Sequence, residues 1–123
     1  MHLAHHPDAS AAAPIDFDAF LRVDIRVGRV VSAERFPEAR KPAIKLLVDF
    51  GPGIGRKRSS AQITEHYDPE QLVGRLVLAA VNLGERRIGA FVSEVLTLGV
   101  AGADGAVVLV SPDRAVPLGG RLF

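Results

Sequence analysis

Residues 68–83 read "DPEQLVGRLVLAAVNL" and set a short helix directly before an apolar strand. Four signals agree on the helix. Asp68 suits the N-cap, Pro69 the first turn, Gln71 a capping box, and Gly74 a left-handed stop. The run that follows, 75–83, is nearly all apolar, which predicts a strand covered on both faces. Upstream, Val23, Ile25 and Val27 alternate with Asp24 and Arg26, and Gly28 predicts a bulge or bend before Val30 and Val31. In "AIKLLVDF" (43–50), Ile44, Leu46, Val48 and Phe50 share one face. "KRSSAQI" (57–63) reads as a third strand, polar because one of its faces is wet. Downstream, "RRIGAFVSEVLTLGV" (86–100) reads as a longer strand or a bent pair. Asp104-Gly105 is a hairpin signal, and 107–112 is the return strand. Near the start, Asp16 caps a short helix with Phe17, Phe20 and Leu21 on one face. Five or six strands with a helix between the third and fourth is the order of an OB-fold, an all-β Greek-key barrel.

The bulk composition fits that architecture. The chain has 123 residues, enough for one domain. With 48% hydrophobic residues, six Phe, one Tyr and no Trp, the core is built of Val, Leu, Ile and Ala, which favours β structure. There is no cysteine, so disulfides, thiol catalysis and cysteine-bound zinc are excluded. No apolar run is long enough to span a bilayer, and the start lacks a signal-peptide pattern. These features predict a cytoplasmic protein. Residues 1–14 show no apolar period and read as a disordered tail ahead of a folded unit at 15–123. His2, His5 and His6 on that tail lack a rigid ligand set, so no metal and no cofactor are expected.

Charge is concentrated rather than abundant. Net charge is only +1, yet Arg56, Lys57 and Arg58 stand together after the glycine-rich "GPGIG", and Arg86 and Arg87 form a second cluster. A solvated rim is one reading of such runs. The barrel order brings both clusters near one face, which favours an anionic partner such as nucleic acid. "GPGIGRKRS" is not a phosphate-binding loop. It lacks the Gly-Lys-Ser/Thr ending and leads into a strand instead of a helix. Ser59 or Ser60 with His66 and Asp68 supplies the side chains of a triad without a nucleophile elbow, and no catalytic residues are expected. Asp24, Glu38 and Asp49 show no spacing suited to a metal or to acid–base work. Asn82 sits at the end of an apolar strand, and Ser93 and Glu94 interrupt another; they either satisfy backbone groups at strand ends or contact a ligand.

Several separated motifs resemble a known family: "FLRVDIRVGRVVSAERFPEARKPAIKLLVDFG", "RKRSSAQIT", "DPEQLVGRLVLAAVNL" and "RRIGAFVSEVLTLGV". Together they are similar to the CsaA-type, stand-alone tRNA-binding-domain family of export-related chaperones. The likeness runs from about Phe17 to the end. It implies an OB-fold homodimer, with the terminal segments at the interface, that binds tRNA and unfolded or preprotein segments. By motif it carries nucleic-acid contacts onto Asn82 and the Ser93-Glu94-Val95-Leu96 stretch, and phosphate contacts onto Lys57, Arg58, Arg86 and Arg87. Many members of the wider family have glutamine or glycine and a methionine around "SEVL", where this chain has Glu94 and Leu96.

Two functions follow as expectations. The first is tRNA binding through Arg56, Lys57, Arg58, Ser60, Asn82, Arg86, Arg87, Ser93, Glu94 and Leu96. The second is a chaperone whose apolar dimer cleft, lined by Phe36, Phe50, Leu118, Leu122 and Phe123, holds an extended polypeptide. An alternative to the chaperone role is a tRNA-binding module that docks onto an aminoacyl-tRNA synthetase.

Overall fold

The structure is a computed structural model that describes residues 5–123; the first four residues of the predicted tail, His2 among them, lie outside the described residues. Residues 9–16 are exposed and carry neither helix nor strand. Helix α1 (Phe17–Leu21) follows with Asp16 at its N-cap, and it buries none of its residues.

The predicted alternation then builds the barrel. Strands β1 (Ile25–Arg35), β2 (Ile44–Asp49) and β3 (Arg56–Ala61) form an antiparallel meander. Helix α2 (Pro69–Leu72) sits between β3 and β4 (Leu76–Ala80), the placement that defines the OB order. Gln71 Oε1 accepts from the Asp68 N–H at 3.2 Å, and Gly74 adopts φ 91°, so the local signals act as read. α2 delivers Leu72, fully buried, into one end of the barrel. Four of the five β4 residues are buried, as its unbroken apolar run predicts.

The stretch 86–100 divides further than a bent pair. It becomes β5 (Arg86–Ile88), β6 (Phe91–Ser93), β7 (Leu96–Thr97) and β8 (Gly99–Ala101). Gly89, at φ 61°, turns β5 back onto β6. Ser93 and Glu94 then end the strand by bonding sideways to β3. β8 pairs with β9 (Val107–Leu109) across the Asp104-Gly105 turn.

The main sheet has the order β3-β2-β1-β4-β7. Its two outer strands come back together and nearly close the barrel. Ser59 Oγ on β3 donates to the Val95 carbonyl at 3.2 Å and lies 2.8 Å from Thr97 Oγ1 on β7. The Glu94 N–H donates to the Arg58 carbonyl at 2.8 Å. These bonds cover a sheet edge that would otherwise be open to pairing.

The bulge is not where Gly28 suggests. Gly28 stays in register opposite Val77, and the shift falls between Val30 and Ser32, at Val31. Gly28 is needed for space. A Cβ there would stand 2.4 Å from Val48 Cγ1 and 2.8 Å from the Phe50 ring. Both neighbours belong to the core, with Ile44, Leu46, Val77 and Leu109. Among the described residues, no helix is long and apolar enough to cross a membrane.

Candidate nucleic-acid interface

The outer face of β2 and β3 follows from their period of two. The inward residues Ile44, Leu46, Val48, Ser59 and Ala61 are buried. Register places Lys45 opposite Ser60, Leu47 opposite Arg58 and Asp49 opposite Arg56, so these six share the outer face. Lys57 has the opposite parity and lies across from buried Val48. The triple Arg56-Lys57-Arg58 is therefore split, with two cations outward and one turned away.

Two loops flank this face. Residues 36–43, between β1 and β2, bring Phe36, and the β5–β6 hairpin brings Phe91. The Phe36 and Phe91 rings meet edge to face at 5.4 Å. Lys45 Nζ lies 5.1 Å from the Phe36 centroid and 5.7 Å from that of Phe91. The Arg58 guanidinium lies 6.0 Å from the Phe91 centroid. Within the hairpin, Arg86 pairs with Ser93 and Ile88 with Phe91, which places them on one side; Arg87 pairs with Val92 on the other. The β2–β3 face thus carries Lys45, Arg56 and Arg58, of which Lys45 and Arg58 adjoin the Phe91 ring, and Arg86 lies on the Phe91 side of the hairpin.

Glu94 organises Arg58. Its Oε2 accepts from the Arg58 backbone N–H at 2.9 Å and from Arg58 Nε at 3.4 Å. The backbone N–H holds the Glu94 carboxyl below its ordinary 4.5; partial burial opposes this, and the Arg58 guanidinium and the Lys57 charge reinforce it. Because folding lowers this pKa, the associated stability is full at neutral pH and is lost as pH falls below 4.5 through the lowered value. Two other ion pairs lie on the face. Lys45 meets the exposed Glu34 at 3.2 Å, and Arg56 meets Asp49 at 3.9 Å. Glu34 is exposed and the Arg56–Asp49 contact is long, so both pairs hold their cations weakly and an anionic ligand can compete for them.

The remaining sequence-derived residues fall into separate places. Ser93 is buried, accepts from the Ser60 N–H at 3.0 Å and donates to the Val95 carbonyl. Leu96 is 42% exposed on β7. Asn82 is occupied at both ends of its amide: Oδ1 accepts from the Asp24 N–H at 2.9 Å and Nδ2 donates to the Arg22 carbonyl at 2.7 Å. That staples the end of β4 to the entry of β1. Asn82→Ala should lower stability by about 1–2 kcal/mol, within the range for losing hydrogen bonds to backbone groups. In the folded variant, tRNA affinity should change less than twofold. Denaturant titration beside an anisotropy titration checks both; a large affinity loss at unchanged stability would make Asn82 a ligand contact.

The apolar set also separates. Phe50 is 1% and Phe36 5% exposed, so both rings are spent inside the monomer. Leu118 is half-buried, whereas Leu122 and Phe123 are 40% and 101% exposed. Arg121 ties this end back, meeting Asp24 at 3.3 Å and donating to the Leu21 carbonyl of α1. His66 pairs with Asp104 at 3.2 Å. Among the described residues, no cluster of His, Cys, Asp or Glu is suited to a metal.

Lys45 and Phe91 are the residues that sequence reading missed. Lys45 carried a usable signal, being the one cation at an outward position of "AIKLLVDF". Phe91 carried one only through the hairpin register, since it stands two residues before Ser93 on the same side.

Comparisons with known proteins bear on this arrangement. The model of the family described as "Putative tRNA binding domain" matches residues 25–121. The fold is similar to the crystal structure of chaperone CsaA from Bacillus anthracis str. Ames, with TM-score 0.84 and 47% identity, over 90% of this chain and 100% of that one. It is also similar to the CsaA chaperone protein from Picrophilus torridus, with TM-score 0.83 and 43% identity, over 89% and 100%. Among curated sequences, the chain is 41% identical over 99 residues to a methionine–tRNA ligase of Pelodictyon phaeoclathratiforme, covering 80% of this chain and 14% of the ligase. The chain spans about 15% of the length of the ligases it matches.

Proposed function

The chain belongs to the putative tRNA-binding-domain family and is of the CsaA type, and from that premise we propose that it binds tRNA, without catalysing a reaction, at the outer face of β2, β3 and the β5–β6 hairpin. One observation carries the location. In a chain of net charge +1, Lys45, Arg56 and Arg58 share the outer face of β2 and β3, and Arg86 stands on the Phe91 side of the adjoining hairpin. A cluster of cations of this kind, whose exposed carboxylate partners can be exchanged, attracts phosphates and gains from counterion release. Four phosphate contacts at about 0.7 per phosphate predict that log affinity for tRNA falls against log salt with a slope near −3. Anisotropy of labelled tRNA across a salt series checks it. An affinity independent of salt would overturn the reading.

A second reading concerns polypeptide. Both CsaA structures are of proteins named as chaperones, which supports an additional role in holding unfolded or exported segments. The likeness to part of methionine–tRNA ligases supports the alternative, a module that assists or docks onto a synthetase. Exposed Phe17 at 69%, Leu122 and Phe123, on terminal segments joined through Arg121, favour a homodimer seam, because apolar ends of this kind gain from cover. In this reading the folded unit is residues 15–123, preceded by a tail, and it works in the cytoplasm.

A further inference from the structure

We propose that the Phe91 ring is a stacking platform for an unpaired nucleobase, so that the RNA segment gripped at this face is single-stranded. This rests on the tRNA-binding reading and narrows it to one kind of RNA structure.

The argument begins with the ring's surroundings. Phe91 is half-buried, while Phe36, edge-on at 5.4 Å, is buried beneath the surface. The inner ring fixes the outer one, so a ligand does not have to order it. Lys45 and Arg58 stand within cation–π range of Phe91. Both cations lie over the ring on flexible stems, so an incoming base displaces them from its face: the ring takes the base and the two side chains turn to its phosphates, the pairing that single-stranded nucleic acid requires.

Space and charge agree. A groove of about 260 Å³ runs beside the ring, lined by Phe36, Glu38, Lys45, Ile88, Ala90 and Phe91. It is smaller than the roughly 300–1,000 Å³ that encloses a whole small molecule, so it suits one part of a larger ligand laid across it. Three carboxylates border the groove and its cations: Glu38 lines the groove, Glu34 pairs with Lys45, and Glu94 holds Arg58. The exposed Glu34 holds Lys45 weakly, so Lys45 and Arg58 can both take phosphates, with a base turned inward over Phe91. Glu94 holds Arg58 through Nε and leaves the two terminal guanidinium nitrogens for phosphate. A duplex keeps its base faces stacked inside and cannot fill such a site without unpairing.

The test uses the full chain and two RNAs of equal length, an unstructured oligoribonucleotide and a duplex, each competing with labelled tRNA. The unstructured RNA should compete at least tenfold better. Phe91→Leu keeps an apolar side chain against Phe36 but removes the π-face; it should weaken binding about 5- to 100-fold, the range seen when base stacking is lost. Phe91→Trp should retain binding. The natural chain has no tryptophan, so this variant's emission reports directly on Phe91's position, and the unstructured RNA should quench it. If Phe91→Leu binds like the natural protein while Lys45→Ala/Arg58→Ala weakens binding, stacking is overturned and phosphate binding stands. Stacking is overturned as well if duplex competes equally or the tryptophan is not quenched. If the natural protein binds none of these RNAs at low salt, the tRNA-binding reading itself fails.

Discussion

Phe50→Ala should lower stability by about 3–5 kcal/mol, the usual cost of removing a fully buried phenylalanine ring. Phe50 is 1% exposed and is among the largest fully buried side chains. Its ring lies over Gly28 in β1, where no side chain stands to fill the space left behind. Its backbone is also engaged, with its N–H donating to the Gly55 carbonyl at 3.0 Å, so the chain cannot readily collapse inward. At about 4 °C or more per kcal/mol, the melting temperature should fall by roughly 12–20 °C. Thermal denaturation followed by circular dichroism checks this. A fall under about 4 °C would mean that Phe50 is not a core residue. Any loss of polypeptide binding in this variant should track unfolding and disappear under conditions that keep it folded.

Gly28→Ala should cost about 3 kcal/mol by the opposite mechanism, overpacking. The added methyl would lie 2.4 Å from Val48 Cγ1 and 2.8–2.9 Å from two Phe50 ring atoms. Those neighbours are 0% and 1% exposed, so they have no free rotamer to move into. Gly28 also pairs with Val77 in the middle of the sheet, which prevents β1 from shifting outward. The two sites should couple. In Phe50→Leu the ring is gone, and adding Gly28→Ala there should cost at least 1 kcal/mol less than in the natural chain, a coupling of the size found for residues in contact. Urea titrations of the four proteins of this cycle measure it. Strict additivity would mean that the Cβ is accommodated elsewhere.

The parts of the fold that were legible in the sequence are those encoded locally. Helix α2 carries its cap, proline and stop within seven residues, and the run through β2 to Phe50 shows its buried face as Ile44, Leu46, Val48 and Phe50. What was not legible depends on which strands meet. Gly28 looks the same in sequence whether it permits a bulge or a close approach, and only the crossing of β1 over Phe50 decides. Ser93 reads equally well as a ligand contact or a strand-closing hydroxyl until Ser60 and Val95 are seen beside it. At the candidate interface, clustered charges were visible, but strand parity sorts them: Lys57 turns away while Lys45, isolated among apolar residues, joins Arg58 on the outer face. Phe91 becomes a neighbour of both only because the hairpin folds back onto β3 through Ser93 and Glu94.

The most direct test of where RNA binds compares two variants of equal charge. Lys45→Ala/Arg58→Ala removes two cations from the face. Arg75→Ala/Arg114→Ala removes two from outside β1–β3 and the β5–β6 hairpin, at the α2–β4 junction and in the stretch between β9 and the C-terminus. The measurement is labelled-tRNA anisotropy across a salt series with both variants shown to be folded. The first pair should bring the slope from about −3 to about −1.5, since two phosphate contacts at about 0.7 each are lost, and the second should leave it near −3. Equal flattening by both would mean that tRNA responds to overall charge, and an unchanged slope in the first pair would place the binding face elsewhere.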